Sequence, residues 1–470
     1  MRSLARFAPL LNPRQGTKYI VDDIVFKVAF PADDSPYLGS NECANKAAGH
    51  DLRGAISISH SIEDENNDDG KEEVINVNCS MMAVIDHLGS RVTVMTLLDL
   101  DKGSLKVGSA DACTTVPHGN LDETERTVNR NMNTVAQRMG LAVHEVKVDG
   151  NTVQMGFGAD VEAHLDRHGI GRVLDTARVF PPESYSVTTV QTFKAGKSKG
   201  KKKLAKCFPH CPAKDLKGKE KKKACTCAPT RELLPSVPGN VSIYWRLLRP
   251  ELLLLLKDKE EDGLLKDQED RLYDDDLDAT GLSSDGFSRF AEKGVDRLKH
   301  DARIGVATTF MMEVQVPKVA SALAARPNSK WWDGAGMTAI FHRLGVNMRH
   351  AGAVWILLNS KCKELAKELK KAETELKKKE LENELKENKS ARRGVVQEMF
   401  TRTAKNLLRR DLRGALEMGA GVYEIGQVRC LISSMKRGWG SCLRAFAYSC
   451  WRTFDCCFLR VLFGVRRVPY

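Results

Sequence analysis

Gly171-Arg-Val-Leu-Asp-Thr-Ala-Arg-Val-Phe-Pro-Pro-Glu183 decides how the rest of the chain is read. Arg172, Val173 and Leu174 have the character of a short strand, and Asp175 falls where that strand stops. Pro181-Pro182 can continue neither a helix nor a ladder, so the chain must turn there. An acid at a strand end, followed by Arg178 and a rigid diproline corner, is a placement that binding sites and structural corners both use. The residues of this stretch leave both readings open.

Upstream, the pattern is one of short strands and two helices. Ile24–Phe30 is strand-like, Pro31–Ser40 is a turn-rich loop, and Asn41–Leu52 places Ala44, Ala47, Ala48 and Leu52 at helical spacing. The acidic, asparagine-rich stretch Ile62–Glu73 cannot build a core and reads as a spacer. Val74–Asn78, Met81–Asp86, Arg91–Leu98 and Ser104–Val107 are β-branched runs punctuated by Gly89, Gly103 and Gly108, the rhythm of antiparallel strands. Leu121–Met139 reads as a helix stopped by Gly140. Strands around Val143–Val148 and Val153–Gly156 then lead to Asp160, Glu162 and His164. Together these elements predict an α+β fold, with a strand-rich N-terminal part followed by a mainly helical part.

This succession distantly resembles the centre of a protein-kinase-like fold, in which a His- and Asp-bearing loop precedes a strand that ends in a metal-binding Asp. The resemblance implies that Asp160 or His164 lies in that loop and that Asp175 faces a metal. Against it, no Gly-rich phosphate loop stands on an early hairpin, and no lysine can be assigned to a nucleotide.

A second resemblance is carried by several stretches in order. Leu174-Asp-Thr-Ala-Arg-Val-Phe-Pro-Pro-Glu183 is similar to the signature of the Clu domain, the central domain of the clustered-mitochondria protein family. Lys46-Ala-Ala-Gly-His-Asp-Leu-Arg-Gly54, Gly89-Ser-Arg-Val92 with Gly108-Ser-Ala-Asp111, and Leu247-Leu-Arg-Pro-Glu251 resemble further parts of it. So do Leu282-Ser-Ser-Asp-Gly-Phe-Ser288 and His342-Arg-Leu-Gly-Val-Asn-Met-Arg349. The matching positions include Lys46, Gly49 and His50, then Glu162 and His164, then Asp175, Arg178, Pro181, Pro182 and Glu183. In the last stretch His342, Gly345, Asn347 and Arg349 match, whereas Leu344 replaces an arginine of the family and removes a donor fork.

Composition bounds what the chain can do. Its 470 residues, 42% hydrophobic and 29% charged, can fill two or three domains with sizeable cores. The net charge of +12 is concentrated: thirteen lysines between Lys194 and Lys223 face only Asp215 and Glu220, so that segment carries +11 of it. Lys201, Lys202, Lys203, Lys221, Lys222 and Lys223 are candidates for contacts to a nucleic-acid backbone, which a lysine tract makes without sequence preference. Thirteen cysteines without a secretory signal argue for reduced thiols, and no uninterrupted apolar run reaches membrane-spanning length. Cys207, Cys211, Cys225 and Cys227 invite a zinc reading, but Cys225-Thr-Cys227 is too short for a zinc knuckle, and no metal set is assigned.

Composition shifts divide the chain into a basic N-terminal segment (1–21), a strand-rich part (22–183), a Lys/Cys-rich low-complexity insert (184–240) and a helical part (241–360). A charged helical insert (361–390), last helices (391–430) and an aromatic, Arg- and Cys-rich tail (431–470) follow. Segment 1–21 has the composition of a transit peptide, although Pro9 and Pro13 interrupt the helix such a peptide needs. Val241–Leu256 reads as helical, Ser283-Ser284-Asp285 as a helix N-cap, and Val306–Ala325 as a helix broken at Pro317. Within Lys361–Lys389 the leucine spacing loses heptad phase after Leu376, which predicts a solvated helix or a helical hairpin. The tail interleaves Trp439, Phe446 and Trp451 with arginines, which suits nucleic-acid stacking or peripheral membrane contact.

The clustered-mitochondria resemblance implies a cytoplasmic protein, near the mitochondrial surface, involved in mitochondrial distribution and biogenesis. Its implied partners are messenger RNAs of mitochondrial proteins and ribosome-associated factors. It implies no catalytic residue, cofactor or small-molecule substrate. A kinase-like nucleotide-binding or phosphotransfer protein is the alternative.

Overall fold

The computed structural model describes residues 8–9, 18–30, 41–63, 75–87, 89–101, 103–108, 123–148, 151–184, 187, 246–261, 281–286, 295–325 and 334–417. The chain forms two compact units, Met1–Gln315 and Val316–Tyr470.

The first unit is built on two sheets that share one helix. β1 (Ala8–Pro9), β2 (Lys18–Val21), β3 (Ile24–Val28), β5 (Met82–His87) and β6 (Ser90–Thr96) form an antiparallel sheet in the order β1-β2-β3-β6-β5. Part of the segment read as a basic leader is therefore strand, and it places Lys18 opposite Lys27. β4 (Val77–Cys79), β7 (Leu105–Val107), β10 (Glu162–Leu165) and β11 (Gly171–Leu174) form a second sheet in the order β4-β11-β10-β7. Here the expected antiparallel rhythm is corrected at one strand: β4 leaves its neighbours in sequence and pairs in parallel with β11.

α1 (Asn41–Glu63) packs against strands of both sheets, along a stripe of Ala44, Ala48, Asp51, Ala55 and Ile58 at spacings of three and four. It extends eleven residues beyond the expected end at Leu52, because Ala55 and Ile58 continue the buried stripe. α2 (Glu123–Arg138) buries Val128, Met132, Val135 and Ala136 and ends at Gly140, whose φ of 73° is the left-handed cap the sequence predicts. β8 (His144–Val148) and β9 (Asn151–Met155) form a separate hairpin. α3 (Pro250–Glu261) starts at its proline, not at Val241; Leu247 instead bridges Pro182 in extended backbone. Residues 284–286 form a turn, and the helical stretch expected to follow Asp285 lies largely outside the described residues. α4 (Val295–Phe310) runs into a π-helical turn, Met311–Gln315.

In the second unit, α5 (Val316–Ala324) carries Pro317 in its first turn, where a missing N–H costs nothing, so the expected break falls before the proline. α6 (Gly334–Arg343) ends at Gly345, and α7 (Ala351–Leu369) and α8 (Glu375–Glu417) form an antiparallel hairpin. Cys362, Leu365, Leu381 and Leu385 are buried between them. The lost heptad phase is the hairpin turn: Leu376, just past it, is 82% exposed.

Candidate functional site

The β10–β11 hairpin delivers the signature stretch. Its turn is fixed by Asp166, whose carboxylate accepts the N–H groups of His168 and Ile170 and pairs with Arg172 Nε at 2.8 Å. The Ile170 N–H, with Arg172 and His168 behind it, holds the Asp166 carboxyl below the usual carboxylate range. β11 then ends, as the alternation predicts, at Asp175, which takes left-handed backbone angles (φ 50°, ψ 48°) before a single 3₁₀ turn, Thr176–Arg178.

From that corner each side chain goes to a different part of the first unit. Thr176 Oγ1 donates within reach of Asp51 on α1, 2.6 Å from its carbonyl and 2.8 Å from its carboxylate. Arg178 is 1% exposed; its Nε lies 2.7 Å from both oxygens of Asp160, and Nη2 donates to Asp285 Oδ1 at 2.8 Å. Asp285 Oδ2 in turn meets the Ala159 N–H at 2.9 Å and His144 Nε2 at 3.0 Å. Burial opposes the Asp285 charge, but Arg178 and His144 outweigh it and keep the carboxyl below its ordinary range. Ser284 Oγ donates to the Val179 carbonyl, and the Leu248 N–H to the Pro181 carbonyl at 2.8 Å. Pro181, Pro182 and Glu183 are buried, with the Glu183 N–H on the Arg246 carbonyl and the Ser184 N–H on Thr308 Oγ1. Seven residues thus tie β11 to α1, the Asp160 turn, residues 246–249, the Asp285 turn and α4.

Asp175 itself faces outward. Lys27 Nζ, from β3, donates to its Oδ1 at 3.2 Å, and the two side chains stay 37% and 51% exposed. Each holds the other's charge: the Asp175 carboxylate lifts the Lys27 ammonium above its usual range, and Lys27 draws the Asp175 carboxyl below its own, although dehydration opposes both. Burial pushes the nearby Asp51 carboxyl up, against the pull of Lys27. On β10, His164 Nε2 lies 3.1 Å from Glu162 Oε2 and its Nδ1 3.0 Å from Ser104 Oγ, beside the same charges.

The candidates read from sequence therefore separate. Glu162, His164 and Asp175 converge with Lys27, which the sequence did not single out; Asp160 and Arg178 are drawn into the buried network instead. Lys46 is exposed on α1, Gly49 faces Arg91, and His50 is buried with Nδ1 3.3 Å from Arg53 Nη1. In the second unit His342 ends α6, Gly345 has a φ of 70°, and the Val346 N–H returns to the Phe341 carbonyl at 2.9 Å. Asn347 accepts the His350 N–H through its carbonyl, and the exposed Arg349 donates from Nε to His350 Nε2. That stretch is a helix stop and restart. Lys201–Lys203, Lys221–Lys223, the four cysteines Cys207 to Cys227 and the tail lie outside the described residues.

Among the described residues, no three His, Cys, Asp or Glu side chains stand together as a metal site, and no helix is long and apolar enough to cross a membrane. Residues 3–185 match the family described as "Clustered mitochondria", and residues 328–438 the family described as "Translation initiation factor eIF3 subunit 135". No curated protein and no solved structure matches the chain.

Proposed function

We propose that this chain, which carries a clustered-mitochondria domain over residues 3–185 and an eIF3-subunit-135-like region over residues 328–438, is a non-catalytic cytoplasmic protein that binds messenger RNA and translation factors near the mitochondrial surface. The observation that carries the non-catalytic part is the use of the signature's polar groups in packing. Arg178 is enclosed by Asp160 and Asp285, and Thr176 by Asp51, so the acid nearest the expected catalytic loop is already paired. The pairing of the two family matches on one chain supports the link to translation and mitochondria. RNA contact is assigned to the lysine tract Lys194–Lys223, which concentrates the positive charge of the chain.

Ultraviolet crosslinking of the full chain in cells, followed by recovery of attached RNA, tests this reading. RNA is expected on the full chain, with capture weakened and its salt dependence flattened when residues 194–223 are deleted. Equal capture without that segment assigns RNA binding elsewhere, and the absence of crosslinked RNA overturns the reading.

A further inference from the structure

We propose that the charged cluster where β2, β3, α1 and the end of β11 meet binds a polyphosphate as its divalent-cation complex, a nucleoside triphosphate being the biological source, with Lys18 and Lys27 toward the phosphates and Asp175 toward the cation. Three independent observations meet there.

The first is a repulsion. Lys18 and Lys27 stand directly opposite each other on β2 and β3, and like charges in that relation destabilise a sheet. Burial, and then Lys27, depress the Lys18 ammonium from its usual range. Asp175 contacts Lys27 directly, while Glu162 and Asp51 act on Lys27, and Asp175 and Glu162 on Lys18, only through space. Two ammonium groups set opposite each other, one of them partly exposed, suit a ligand with more than one negative charge.

The second is a strain. Asp175 holds φ at 50°, a conformation that costs a non-glycine residue about 1–2 kcal/mol, somewhat less for Asp. Its ion pair with Lys27 is 37% and 51% exposed, and such pairs return at most about 1 kcal/mol. The contact does not repay the backbone, and strain of this kind concentrates where ligands are held.

The third is the placement. A lysine on the third strand, an acid on the helix that follows it, and an Asp at the end of a later hairpin are the parts with which protein kinases hold a magnesium nucleotide. Here they are Lys27, Asp51 and Asp175. Magnesium is usually held by one or two carboxylates, waters and the ligand's own phosphates, so Asp175 with a triphosphate can supply its ligands. Asp160, where a base for phosphate transfer would stand, is bound through both oxygens by Arg178. The site therefore binds without transferring. The inference stands apart from the RNA reading, since it uses none of the lysines between 194 and 223.

The test is thermal unfolding of the full chain with millimolar magnesium ATP, magnesium GTP, magnesium tripolyphosphate, magnesium alone, and a short single-stranded RNA without magnesium. The triphosphates are expected to raise Tm by mass action, and magnesium alone to leave it unchanged. A larger rise with a nucleotide than with tripolyphosphate assigns the base a contact; equal rises assign binding to the phosphate tail. Lys27→Met and Asp175→Asn are expected to weaken binding about tenfold or more, as loss of a charge-assisted contact does. Lys18→Gln guards against variants that simply unfold: it relieves a repulsion, so it is expected to raise the ligand-free Tm while lowering affinity. No rise with any triphosphate, a rise that Lys18→Gln and Lys27→Met keep in full, or the same rise with RNA alone overturns the proposal.

Discussion

The backbone of α1 at Gly54 lies so close to Thr176 that a β-carbon there would overlap the Thr176 carbonyl oxygen. Three residues earlier, Asp51 receives the Thr176 hydroxyl. The Lys46–Gly54 motif and the signature stretch, more than a hundred positions apart, are therefore two sides of one contact. Gly54→Ala is expected to destabilise the first unit by about 2–3 kcal/mol, the upper end for overpacking against backbone that cannot yield. Gly49→Ala meets the far end of the Arg91 side chain and no backbone, so it is expected to cost less than Gly54→Ala: a helix-propensity gain of about 1 kcal/mol offsets part of the loss of the Arg91 Nη1 bond to the Asn45 carbonyl. Urea midpoints of the two variants check the contrast; equal losses would refute it.

The Arg178 network predicts a pH dependence. Asp285→Asn removes a buried charge partner of the Arg178 guanidinium and is expected to cost about 3–5 kcal/mol at pH 7. Because the folded-state pKa of Asp285 is lowered, its contribution is fully present above the unfolded carboxylate value of about 4 and is lost as pH falls through the folded value. The stability gap between the natural chain and the variant should therefore narrow below about pH 4. Urea unfolding at pH 7 and at pH 3 measures it, and a gap that does not change with pH contradicts the assignment.

These two contacts show what the sequence could and could not disclose. Asp175 was legible at its strand end because the cue is local: a short apolar run, then a diproline stop. The same local logic disclosed less at Asp285. Ser-Ser-Asp before an apolar stretch is a helix-cap signal, but nothing local announces that the carboxylate also serves Arg178 and His144, 107 and 141 positions earlier. Lys27 and Lys18 carry no motif at all. Sheet pairing sets them opposite each other, and the contact of Lys27 with the end of β11, a strand of the other sheet, is a long-range outcome that no spacing rule reports. The extension of α1 past Leu52 was hidden by Gly54, which signals a breaker in sequence and a close contact in space.

In the second unit the Gly345 position carries the local burden. With φ at 70° it lets the Val346 N–H fold back to Phe341 and close α6. Gly345→Ala is expected to destabilise by about 1–2 kcal/mol, and Gly345→Asn by less, because Asn tolerates left-handed backbone. Thermal unfolding of the three proteins orders them; an Ala variant as stable as the natural chain would show that the turn is relaxed.

The Lys27–Asp175 pair is expected to matter little to stability without ligand. Lys27→Met and Asp175→Asn should each change ligand-free stability by no more than about 1 kcal/mol, because the pair is a third to a half exposed. Urea unfolding measures this. A loss several times larger would make the pair a structural strut.

The central claim is that this chain works by binding the translation machinery. Sucrose-gradient sedimentation of a cell extract, at low and raised salt, tests it most directly. The claim predicts that the full chain travels with initiation complexes at low salt and is released as salt rises. A chain that stays at the top of the gradient at every salt concentration contradicts it.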